Sequence, residues 1–113
     1  MGELRDPSRA LAKRILTEVG FENRLTGFSL RERAGAQPVW MYSFKEVVSL
    51  LNVPRPCLDF KELELWIREV MDDQELSAQI AAVVKNSQSD QDRIRLIKHF
   101  MELRLNQCNE RVY

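Results

Sequence analysis

The sequence predicts an all-α fold, a compact bundle of about five to six short helices in one domain spanning residues 1–113. Three observations predict it. Apolar residues recur every three to four positions over most of the chain, the period of a helix with one buried face. Capping boxes, a Ser or Asp followed three residues later by Glu, occur at Ser29/Glu32, Ser43/Glu46 and Asp59/Glu62. Runs that alternate apolar and polar residues, the mark of a half-buried strand, are almost missing.

The first helix is expected at 7–19. Asp6 caps it, Pro7 takes the first helical position, where its missing N–H costs nothing, and Leu11, Ile15 and Val19 mark its face. Gly20 supplies the stop. Residues 20–28 read as irregular. Ser29/Glu32 opens a short helix at 30–34, closed by Gly35. Trp40, Phe44, Val47, Val48 and Leu51 form one helical stripe, which predicts a helix at 38–52 starting from Pro38. The Ser43/Glu46 box allows a later start, with 39–42 extended.

Pro54 and Pro56 end that element and hold Arg55 extended. Asp59 then caps a helix at 60–71, its face lined by Phe60, Leu63, Ile67, Val70 and Met71 with Trp66 at the flank. Asp72 and Asp73 break it and cap the next helix, 74–85, which carries Leu76, Ile80, Val83 and Val84. Asn86–Ser89 is a polar loop. The last helix, 90–108, turns Ile94, Ile97, Met101, Leu105 and Cys108 inward. The aromatic residues fall mostly at core spacing. Phe21 and Phe28 bracket a polar loop, either as an exposed apolar contact or as a seal on the bundle end.

Composition excludes several classes. No apolar run approaches the ~20 residues that span a bilayer. The N-terminal residues lack a basic segment followed by an apolar one, so no secretory signal is expected. Cys57 and Cys108 are too far apart for a disulfide framework and read as reduced thiols of a cytoplasmic protein. One histidine, His99, and two cysteines are too few for a zinc site, and the glycines are too few and scattered for a phosphate loop. No base is placed to activate Cys57, and His99 reads as a rim residue. The chain is therefore expected to be no enzyme and to hold no cofactor or metal.

The 17 basic and 17 acidic residues balance to zero, which argues against nucleic acid as a partner. The charge is unevenly spread. Glu62, Glu64, Glu69, Asp72, Asp73 and Glu75 crowd one segment, readable as solvated surface or as an acidic docking face for a basic protein. The alternative is a helix-turn-helix built on Glu46–Leu58, with Arg55 and Cys57 opening the recognition helix. That helix would carry acids toward phosphate, the wrong sign. A two-fold homodimer is also open to a small bundle with an apolar rim.

Trp66–Met71, Asp72-Asp73-Gln74-Glu75-Leu76 and Ser77–Ile80, preceded by Asp59-Phe60, resemble the signature of an uncharacterised family of small helical domains. In that family a tryptophan-led helix runs into an acidic cap and a second helix, and some members lie beside glycosyltransferase-type domains. The resemblance covers about residues 28–105. It departs at Ser77, where the family has Ala, and at Trp40-Met41-Tyr42, where an aromatic pair is followed by His. It implies a helical fold and no assigned activity. The expectation from all of this is a small non-catalytic interaction or regulatory module whose partner is another protein.

Overall fold

The computed structural model describes residues 4–31, 35–53 and 56–112. Among the described residues there are five helices, α1 (Arg9–Ile15), α2 (Phe44–Leu51), α3 (Phe60–Glu69), α4 (Gln74–Asn86) and α5 (Asp90–Val112), and a 3-10 turn at Phe21–Asn23. The strands described, β1 (Leu25–Arg31), β2 (Gly35–Met41) and β3 (Pro56–Cys57), form an antiparallel sheet in the order β2-β1-β3. The all-α expectation is thus wrong: the fold is mixed, mostly helical with a small sheet.

The physical reason lies at residues 25–41. β1 and β2 pair in a hairpin with Leu25 opposite Met41, Thr26 opposite Trp40 and Phe28 opposite Pro38. The helical stripe beginning at Trp40 was a coincidence of spacing at its first member. Phe44, Val47, Val48 and Leu51 are buried on α2, whereas Trp40 stands half-exposed on β2. The helix predicted at 38–52 therefore starts at Phe44, as the Ser43/Glu46 box allows. Ser43 Oγ accepts from Glu46 N at 3.2 Å, and Glu46 Oε1 accepts from Tyr42 N at 3.1 Å. The helix predicted at 30–34 is also corrected: Ser29–Arg31 belong to β1 and Gly35 opens β2. Residues 32–34 lie outside the described residues.

Pro38 is tolerated because β2 is an edge strand, where a missing donor breaks no interior ladder. Gly27 explains how the sheet meets the helices. A Cβ there would stand 2.6 Å from Leu50 Cδ2 and 3.2 Å from both the Cys57 carbonyl and Met41 Cε. Only glycine lets β1 lie this close to α2.

The later helices follow the sequence more closely. Asp59 Oδ1 accepts from Lys61 N and Glu62 N, Asp73 Oδ1 accepts from Leu76 N, and Ser89 Oγ accepts from Asp92 N. α1 is shorter than the expected 7–19, because Ser8 Oγ caps it at Leu11 N and Val19 leaves it to donate to the Tyr42 carbonyl. One core joins all five helices, centred on Phe44, Leu63, Ile67, Leu76, Ile80, Ile97 and Met101. Among the described residues no helix is long and apolar enough to cross a membrane.

Candidate functional site

The acidic segment does not form one face. Asp73 is buried, with its Oδ2 2.9 Å from Arg104 Nε. Glu75 Oε1 accepts from Arg104 Nη2 at 2.9 Å and from Arg5 N at 2.7 Å. Arg104 Nη1 also donates to the Arg5 carbonyl and to Gln107 Oε1, while Gln107 Nε2 donates to the Leu4 carbonyl. These bonds clamp the N-terminal segment and the start of α4 onto α5. Asp73 and Glu75 are thus structural. Glu64 and Glu69 both lie 3.8 Å from Arg68. Glu62 and Asp72 are exposed, and among the described residues neither makes an ion pair.

The exposed apolar side chains lie elsewhere. Among the described residues the large exposed ones are Phe21, Trp40, Phe28 and Leu65, at 66, 50, 43 and 39%. Strand alternation puts Thr26 and Phe28 on one face of β1, and register puts Trp40 and Pro38 on the same face of β2. That face is opposite the one on which Gly27 meets α2. On the other side of β1, β3 pairs only as far as Phe28 and Ser29. Beside Thr26 the neighbour is instead α3.

The result is a groove of about 310 Å³ between β1 and α3, lined by Arg24, Leu25, Thr26, Glu62, Leu65, Trp66, Glu69 and Val70. Its floor is fixed: Trp66 is buried, and its Nε1 donates to the Asn23 carbonyl at 2.7 Å. Arg24 is turned aside, its guanidinium 3.7 Å above the Phe21 ring and its Nη1 donating to the Phe21 carbonyl. Of the exposed apolar side chains Leu65 lines the groove, Trp40 and Phe28 stand on the sheet face that carries Thr26, and Phe21 lies under the Arg24 guanidinium; Glu62 and Glu69 also line the groove.

Sequence reasoning missed most of this site. Glu62 and Glu69 belonged to the expected acidic face. The helical spacing predicts Trp40 in the core, and no pattern in the sequence singles out Leu65. The hairpin register is what assembles them, and it needed β1 and β2 to be recognised as strands.

The other candidates do not converge on chemistry. His99 is exposed, edge-on to Phe100 at 5.5 Å. Cys108 is buried, and loss of solvation raises its thiol from 9.0 to about 11, with Arg104 lowering and Asp73 raising it. Cys57 is half-buried in β3. Among the described residues no group of three His, Cys, Asp or Glu could hold a metal ion. The helix-turn-helix alternative meets a geometric obstacle, since β3 lies in the connection between α2 and α3 and pairs with β1. Such motifs join their helices by a turn of about 3–4 residues. Arg55 lies outside the described residues.

No family model, curated protein or solved structure matches this chain.

Proposed function

We propose that the chain is a small non-catalytic interaction module that docks another protein on the face formed by Phe28, Trp40 and the β1–α3 groove. The observation that carries this reading is Leu65 lining the groove, with exposed Phe28 and Trp40 on the sheet face that carries Thr26, apart from the single core cluster of buried apolar residues. Scattered exposed apolar side chains are ordinary, whereas a contiguous patch with a polar rim is the usual form of a protein contact. Exposed tryptophan adds weight, since Trp is over-represented among residues that dominate binding energy. The β2 edge is the weaker docking feature. Pro38 interrupts its donors and Val19 N already occupies the Tyr42 carbonyl, so a strand added there would find a broken ladder.

The test is a pull-down from native lysate at low salt, with the wild-type chain and a Trp40→Ser/Leu65→Ser variant as baits. The captured material is assayed for protein and for nucleic acid. A protein captured by the wild type and lost with the variant, whose melting temperature stays close to the wild type's, supports the reading. Capture of the same proteins by both baits removes this face. Nucleic acid that washes off with salt would replace the reading with a different one.

A further inference from the structure

The rim of the groove specifies what kind of segment it takes. Glu62, Leu65, Trp66 and Glu69 stand at i, i+3, i+4 and i+7 on α3. Two turns of helix set Glu62 and Glu69 about 10.5 Å apart along the axis, with the apolar pair between them. Both carboxylates are available: Glu62 has no ion pair among the described residues, and Glu69 is 70% exposed beside Arg68 at 3.8 Å. An exposed pair of that length is worth little, so it is readily exchanged. The groove lining carries two acids, Glu62 and Glu69, against one cation, Arg24, whose guanidinium is held over the Phe21 ring. Beyond Thr26 the same sheet face carries Trp40 and Phe28.

Resting on the docking reading above, we infer that the occupant is a basic amphipathic helix of a partner protein. Its cations fall at i and i+7, opposite Glu62 and Glu69, and its apolar residues at i+3 and i+4 seat on Leu65 and over Trp66. The same spacing on both helices lets them lie side by side, apolar stripe to apolar stripe with opposite charges at each end. The charge fixes orientation and partner choice, and the apolar contact supplies most of the affinity.

The experiment uses the full chain and two tryptophan-free synthetic helices. One carries Lys at i and i+7 with Leu at i+3 and i+4, and the other carries Glu in place of Lys. Binding is read from the fluorescence of Trp40 and Trp66 at low and at raised salt. The lysine helix should bind about tenfold more tightly than the glutamate helix at low salt, a margin that shrinks as salt rises. A Glu62→Lys/Glu69→Lys variant with unchanged melting temperature should reverse the order. Equal binding of the two helices, an order that survives the charge reversal, or no binding of either would each overturn the inference. The Trp40→Ser/Leu65→Ser variant separates the two levels. If it abolishes charge-independent binding, the face stands and the basic partner falls; if binding persists in it, the face itself falls.

Discussion

Asp73 and Arg104 form an ion pair inside the protein, Oδ2 to Nε at 2.9 Å, with both side chains 1% exposed. Each has a second task. Asp73 Oδ1 caps α4 at Leu76 N, and Arg104 bridges Glu75 and the Arg5 carbonyl. The pair therefore joins the α3–α4 turn, the N-terminal segment and α5 at one point.

Removing one member of such a pair leaves a buried charge without its partner. Arg104→Met should lower stability by about 3–5 kcal/mol. Adding Asp73→Asn should restore part of that loss, because the amide keeps the cap and carries no charge. Urea unfolding of the two single variants and the double variant measures the coupling; additive losses would mean the pair contributes nothing as a pair.

Gly27 marks the closest approach of sheet and helix. Gly27→Ala should cost about 1–3 kcal/mol by forcing Leu50 and the Cys57 backbone outward. Thermal unfolding checks this, and Gly20→Ala, with nothing within 4 Å of the new Cβ, is the matched control.

The two thiols should differ in reactivity. Cys108 is buried, and burial raises its pKa to about 11, so alkylation at neutral pH should proceed only as fast as the protein opens. Half-buried Cys57 should label first. A folded pKa above the unfolded one means that the neutral thiol stabilises the fold. That contribution is whole below pH 9 and is lost as pH rises from 9 towards 11. A Cys108→Ala variant should show a flatter stability profile over that range.

Trp40 and Phe28 stand half-exposed on a sheet face, outside the core. Trp40→Ser should lower stability by no more than about 1 kcal/mol, the span of strand propensities. A melting temperature well below the wild type's would place Trp40 in the core after all.

Much of the helical part was legible because its signals are local. Asp59 and Asp73 cap helices α3 and α4 at the residues where the sequence sets them, and Ile97, Met101 and Cys108 are buried as their spacing requires. The sheet was illegible because its signals are not. β1 and β2 carry apolar residues on both faces, Leu25, Val39 and Met41 inward and Phe28 and Trp40 outward, with glycine inward at Gly27, so the alternation that marks a strand is blurred. Arg104 was missed although its position, between Met101 and Cys108 on the inward stripe of α5, set an arginine on the buried face. For Asp73 the sequence predicts the cap but not the burial, because nothing local shows a partner 31 positions away.

The most direct test of the docking face is a hydrogen-exchange footprint of the chain bound to the protein it captures. The account predicts slowed exchange confined to residues 24–28, 36–41 and 61–69. Protection instead at the α4–α5 hollow around Gln79, Asn86 and Arg95, with the β1–α3 groove unchanged, would contradict it.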